Sequence, residues 1–350
     1  MHQVRPAAVA GAFYPGEALS LSRTVKGLLE ACSPAAPAAQ PPKALIVPHA
    51  GYVYSGSTAA QAYALLAPWR QTIRRVVLLG PVHRVAVRGL ALPGVDAMAT
   101  PLGEVRLDPV AADALRRLPQ VVTSAAAHAQ EHSLEVQLPF LQLVLEAFTL
   151  VPLAVGDATP DEVCEALEAV WGGPETLFVI SSDLSHFLSH AQAQAVDRQS
   201  VQTLLALQPT LGHRQACGAT PINGLLLAAR RHHLRPQLLA LCNSGDTAGD
   251  RQRVVGYAAV AFQAADAAAT EAAAAPAQAV PGDAGNVLLP LARAAIGPAL
   301  GQGPGAVDLP HPEWLKVPGA CFVTLTRNGQ LRGCIGSLQA HRPLIEDVQA

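Results

Sequence analysis

Three apolar runs of strand length each end in an imidazole. Ala44-Leu45-Ile46-Val47-Pro48 runs into His49, and Val76-Val77-Leu78-Leu79-Gly80-Pro81-Val82 runs into His83. Leu177-Phe178-Val179-Ile180-Ser181-Ser182 delivers Asp183 and, three residues on, His186. Side chains carried to the carboxyl ends of separate strands can converge on one crevice. Two histidines and an anionic ligand that leave coordination positions open form the facial arrangement of non-haem iron(II) oxygenases, and zinc accepts the same donors. A fourth group, clear of the metal, would then act as acid or base. His186 suits that role because histidine exchanges protons near neutral pH, and Asp183 would fix its tautomer or raise its basicity.

Two further groups stand in loops. "HAQEHSLEVQLPF" offers His128, Glu131 and His132 just before a predicted helix, and "QACGATPINGLL" offers Cys217 just before another. A thiol at a helix N-terminus feels a positive potential that favours thiolate, the form that binds metal. Each residue also has a plainer reading. Glu131 or His132 would simply cap the following helix, and Cys217 would be a small buried residue like Cys164 and Cys242. Asp183 would cap a helix starting at Leu184, leaving His186 in a solvated first turn.

The elements that must position these groups alternate. From residue 43 to 263, "KALIVPH", "RRVVLLGPVH", "FTLVPLAV", "TLFVISSD", "PQLLALCNS" and "VVGYAAVAF" read as strands. Amphipathic stretches such as "GSTAAQAYALLA", "DPVAADALRRL", "HSLEVQLPFLQLVLEA", "TPDEVCEALEAV" and "INGLLLAARRH" lie between several of them as helices. The expectation is an α/β domain over 1–263 with a central, mostly parallel sheet flanked by helices. Residues 264–283 are alanine-rich with two prolines and read as a linker. From 284 to 350 the vocabulary changes, and "GACFVTLTRNGQLRGCIGSL" has the signature of a hairpin turning at Asn328-Gly329. Cys334 stands there between glycines beside Arg332, either in surroundings that lower a thiol pKa or incidentally at a tight strand end. The sequence stops in "RPLIEDVQA", the expected start of a helix, so this α+β C-terminal domain is expected to be truncated.

Composition narrows the classes of partner. Half of the 350 residues are hydrophobic, only 14% are charged, and the net charge is -2, which gives no electrostatic reason for nucleic acid or an anionic membrane. Six scattered cysteines without a C-x-x-C pair suit a reducing compartment, and the start lacks a signal-peptide pattern, so the cytoplasm is expected. The longest greasy stretch, 138–156, is broken by Gln142, Glu146 and two prolines, and reads as a helix followed by a buried strand rather than a membrane span.

"RPAAVAGAFYP", "VPHAGYVYSG", "LLGPVHR", "EHSLEVQLPF", "SSDLSHF" and "CGATPINGLL" occur in order, and together they resemble the Memo family, also called AmmeMemoRadiSam system protein B. The tail resembles the opening of an AMMECR-type domain, AmmeMemoRadiSam system protein A. The first resemblance implies a fold similar to the catalytic subunit of class III extradiol dioxygenases. It also implies a metal site of His49, His83 and Cys217, with His186 as acid/base, Asp183 beside it and His132 lining the pocket. A cysteine in place of a carboxylate ligand makes the site softer, so copper or zinc joins iron(II) as a candidate. Animal relatives are associated with phosphorylated receptor peptides and with metal-bound redox chemistry, and the system's name with a radical S-adenosylmethionine protein.

The expected activity is therefore a metal-dependent oxidoreductase acting on a small, phenolic or chelating molecule. A peptide- or protein-binding module without turnover is the alternative, and a zinc hydrolase a weaker one.

Overall fold

A computed structural model describes residues 2–32, 40–264, 283–297, 312–319, 321–327, 330–336 and 342–349. The chain divides into two compact units, Met1–Asp266 and Ala267–Ala350. The proposed linker lies almost wholly outside the described residues.

The first unit runs β1 (Val4–Arg5), α1 (Ala18–Glu30), β2 (Ala44–Val47), α2 (Tyr52–Tyr63), β3 (Arg75–Pro81), β4 (Leu90–Leu92), β5 (Ala97–Thr100) and β6 (Gly103–Arg106). It continues with α3 (Pro109–Leu115), β7 (Val121–Thr123), α4 (Ala125–Ala129), α5 (Leu138–Val144), β8 (Thr149–Val155), α6 (Pro160–Ala169) and β9 (Thr176–Ser181). It ends with β10 (His186–Leu188), α7 (His190–Leu205), α8 (Ala219–Arg231), β11 (Leu234–Asn243) and β12 (Val254–Ala264). Nine strands form the main sheet in the order β10-β12-β2-β9-β3-β8-β4-β7, with β11 also paired to β12.

The sheet is mixed, with its longest parallel run at the centre. β2, β9, β3 and β8 run the same way, as β4 and β7 do with each other, whereas β12 is antiparallel to β2, β10 and β11, and β4 to β8. The parallel centre has the reason foreseen, since a helical crossover lies between its strands. Only a single 3-10 turn, Ser244–Asp246, separates β11 from β12, too short for a crossover, so that pair folds back antiparallel. Central strands are apolar on both sides because both are covered. Val77, Leu79, Phe178 and Ile180 pack on α3, α6, α7 and α8, while Val76, Leu78, Leu177 and Val179 pack on α1, α2 and α5.

Two local features fix the loop that follows α4. Gly80 in β3 lets Ser133 lie against the strand, because a Cβ there would stand 2.8 Å from the Ser133 hydroxyl oxygen. The N-terminal segment then straps the loop from outside. Buried Arg5 is ion-paired with Glu135 and donates to the carbonyls of His128 (3.0 Å) and Glu131 (2.7 Å). Glu135 also accepts from the amides of Ala8 and Val9 and from the Tyr14 hydroxyl.

In the second unit, α9 (Gly285–Ile296) precedes β13 (Pro318–Gly319), β14 (Phe322–Arg327), β15 (Gln330–Gly336), β16 (Arg342–Pro343) and α10 (Leu344–Gln349). β14 and β15 are the antiparallel pair that the hairpin signature called for. The Asn328-Gly329 turn and the Cys334 side chain lie outside the described residues.

Glu135→Ala leaves Arg5 buried without its counter-charge and is expected to cost about 3–5 kcal/mol, read from urea unfolding. Gly80→Ala is expected to cost about 1–3 kcal/mol by overpacking against Ser133. Unfolding midpoints equal to wild type would show that neither contact holds the loop.

Candidate metal centre

Register brings the strand-end residues together. Val47 of β2 faces Ser181 of β9, and the Ser182 amide extends the ladder to the Val47 carbonyl at 2.8 Å. His49 and Asp183, each two residues further on, become neighbours, and Asp183 Oδ1 accepts the His49 amide at 2.8 Å. β3 lies on the other side of β9 and carries His83 two residues past Pro81. The Ser133 hydroxyl donates to the Pro81 carbonyl at 2.9 Å, which lays the loop with His132 across the same edge.

His49, His83 and His132 each contribute a ring nitrogen to a group whose members all lie within 4.8 Å of one another. Their ring centroids are 4.7–5.4 Å apart. The hydrogen bonds assign the tautomers. The Ser181 hydroxyl has one proton, which goes to the Ser133 carbonyl at 2.6 Å, so His49 Nδ1 must be the donor in its 3.0 Å bond to that oxygen. Glu131 is an acceptor only, so His83 Nδ1 donates to it at 2.9 Å, and His132 Nδ1 faces the same carboxylate oxygen at 3.4 Å. His49 and His83 therefore each keep Nε2 for a metal, with the opposite nitrogen anchored as metal-binding imidazoles require, and the contact with Glu131 turns His132 the same way.

For His49 and His132 the electrostatics agree with neutral rings. Burial takes the pKa of His49 down to about 3 and that of His132 to about 4, each assisted by neighbouring histidines. Neutral imidazole is the form that coordinates. Burial opposes ionisation of Glu131, yet hydrogen bonds from the His83 ring and the Ser133 amide overcome it and bring its pKa to about 2. The carboxylate thus remains charged beside the histidines.

The remaining candidates fall around this group. Cys217 is not part of the mutually close set, but its Sγ lies 3.3 Å from His49 Nε2 and 3.6 Å from the Asp183 carbonyl. The expected thiolate is not favoured there. Burial and the Asp183 carboxylate push the Cys217 pKa up to about 12, and a coordinated cation would be needed to reverse that. Asp183 is itself buried, which raises its pKa to about 6. His186 opens β10 opposite Val255, half-buried, and no helix begins at Leu184, so Asp183 is not a helix cap. His128 is a buried ring bonded to the Ala91 carbonyl at 2.7 Å, apart from the cluster. Glu131 and His132 do not cap α5, whose N-terminus has no side-chain cap. Ser181 and Gln137 were not foreseen. Gln137 Nε2 donates to the Pro48 carbonyl and to Ser181, holding the His49 anchor in place. The only sequence signal for Ser181 was its position in the "SSD" that ends β9.

Residues 5–261 match the family described as Memo-like protein, and residues 289–350 match AMMECR1. The chain belongs to the Memo family. A MEMO1 family protein of Sulfurisphaera tokodaii is 33% identical over 282 residues, covering 74% of this chain and 99% of the relative. Counterparts from Ignicoccus hospitalis and Methanopyrus kandleri are 35% and 36% identical, again over 74% of this chain and 98% and 99% of their own lengths.

The donor set of this Memo-family chain fits a metal ion. Three imidazoles, two of them anchored by hydrogen bonds, leave coordination positions open, and the neighbouring thiol and carboxylates supply negative charge when ionised. The set does not choose among iron, copper and zinc. Glu131→Gln removes the charged anchor of His83 and is expected to weaken metal binding about 10–100-fold, measured by calorimetric titration, while the far-UV circular dichroism is retained. Undiminished affinity would show that Glu131 does not orient the ligands.

Proposed function

We propose that this Memo-family chain is a metal-dependent oxidoreductase resembling extradiol dioxygenases, acting on a small phenolic or otherwise chelating substrate. The observation that carries the reading is the meeting of three imidazoles at the carboxyl edge of a parallel sheet centre, a crevice where α/β proteins bind ligands. Iron(II), when bound, would supply redox and Lewis-acid chemistry at open coordination positions; copper or zinc are the other fits.

The chain's own groups supply the rest. His49, His83 and His132 would hold the ion, and Cys217 Sγ, 3.3 Å from His49 Nε2, would be a further donor. His186, outside that group, takes and returns the substrate hydroxyl proton at a ring nitrogen. Asp183 positions the His49 backbone and carries charge towards His186. Phe13 packs on the His132 ring at 4.6 Å and limits water on that side.

Among the described residues no helix is long and apolar enough to cross a membrane. A cytoplasmic role beside a radical S-adenosylmethionine protein of the same system is part of the proposal, supported by the occurrence of Memo-like and AMMECR1 segments in one chain. A peptide-binding role without turnover is the second reading, favoured by the exposed Val53, Tyr54 and Phe187.

Anaerobic loading with iron(II), followed by oxygen uptake with a panel of catechols, tests the proposal. Substrate-dependent uptake is expected in the wild type and a loss of about 100-fold or more in His186→Ala with metal still bound. Bound metal with no uptake from any catechol, and no effect of His186→Ala on the metal's spectrum, would favour the binding role instead.

A further inference from the structure

The pairing of β10 with β12 contains a fault. His186 faces Val255 and Leu188 faces Val254, so Phe187 is an extra residue on β10. Its φ is 60°, the left-handed region that a bulky side chain avoids, and its ring is 64% exposed. A bulge beside a site re-aims a side chain, and strain of this kind persists where the surrounding structure imposes it. Here the ring is turned out of the core, 5.8 Å from the His186 ring.

Arg253 meets it from the other strand. Its guanidinium lies 5.1 Å from the Phe187 centroid, and it is exposed just before β12 begins. No carboxylate among the described residues pairs with it, whereas Arg75, Arg88, Arg116 and Arg231 each have one. A guanidinium resting on an aromatic face still presents its N–H edge, which matches a carboxylate in two parallel bonds. The pair thus offers a cation and an apolar surface side by side, next to His186.

We propose that Phe187 and Arg253 form an outer clamp for an aromatic carboxylate, the ring of the ligand against Phe187 and its carboxylate on Arg253. That this ligand is the substrate rests on the oxidoreductase reading above; the clamp itself does not need the metal. The clamp would select molecules that carry an acid group away from the atoms held at the metal centre, and would discriminate against neutral analogues of the same shape.

The test titrates benzoate and its neutral analogue benzamide into the full chain without added metal, followed by ligand-observed NMR. Wild type is expected to bind benzoate about tenfold more tightly than benzamide, the scale of one charge-assisted contact. Arg253→Gln brings the ratio to about one. Phe187→Gly weakens both ligands without lowering Tm, since glycine accepts this backbone conformation freely; a ring serving only the fold would lower Tm when removed. A wild-type ratio near one, or a preference that survives Arg253→Gln, overturns the clamp. Oxygen uptake by the iron-loaded chain reports separately. Absent uptake with the benzoate preference intact removes the substrate role and leaves the clamp, while uptake without the preference keeps the oxidoreductase and removes the clamp.

Discussion

The carboxylate of Glu131 is the point on which the site turns. It is buried, it accepts the ring and backbone N–H of His83 and the Ser133 amide, and it faces the His132 ring. An ionised acid in such a place is costly unless its lone pairs are filled. The donors that fill them are one of the metal-facing histidines and the residue after another, whose ring faces the same carboxylate. Stabilising the buried charge and orienting the imidazoles are therefore one requirement. The strap from Arg5 to the Glu131 carbonyl extends it to the N-terminus, which explains why a short segment before α1 is ordered against the far side of the loop.

The sheet supplies the second constraint. Parallel strands end on one edge, so β2, β9 and β3 deliver His49, Asp183 and His83 without any long loop having to find its place. The Cys217 loop reaches the same edge because Gly218 sits against β9: its amide donates to the Ser182 hydroxyl at 2.9 Å, and a Cβ there would lie 2.7 Å from the Ser182 Cβ. Rigid elements carry the donors, and hydrogen bonds to Ser181 and Glu131 set their rotation, an arrangement that favours precise ligand geometry over adaptability.

Much of this was legible in the sequence where the physics is local. β2, β3, β8 and β9 are buried on both faces and read as unbroken apolar runs, and the polar residues at their ends pointed to the crevice. β4 to β7, at three or four residues each, carry too little pattern to stand out. The helix read from "HSLEVQLPFLQLVLEA" opens as a 3-10 turn at Glu135–Gln137 and becomes α-helical only at Leu138, with Pro139 in the first α-helical turn, where no N–H donor is needed. Glu131 looked like a local cap since its true partner, His83, is 48 residues away in the chain. Gln137 gave no signal, and Ser181 none beyond its place at the end of β9, for the same reason. Long-range hydrogen bonds decide their roles, and periodicity does not encode these. The thiol of Cys217 shows the opposite lesson: its helix N-terminus is real, but burial and Asp183 outweigh it.

X-ray absorption of the anaerobically metal-loaded chain reads the donors around the ion themselves. Three imidazoles turned by Ser181 and Glu131 should appear as nitrogen scatterers at about 2.0–2.1 Å with the outer-shell pattern of histidine rings, joined by sulfur near 2.3 Å only if Cys217 also coordinates. A bound ion surrounded by oxygen alone, with no imidazole pattern, would mean that the histidines meet for another reason and that the account of this site is wrong.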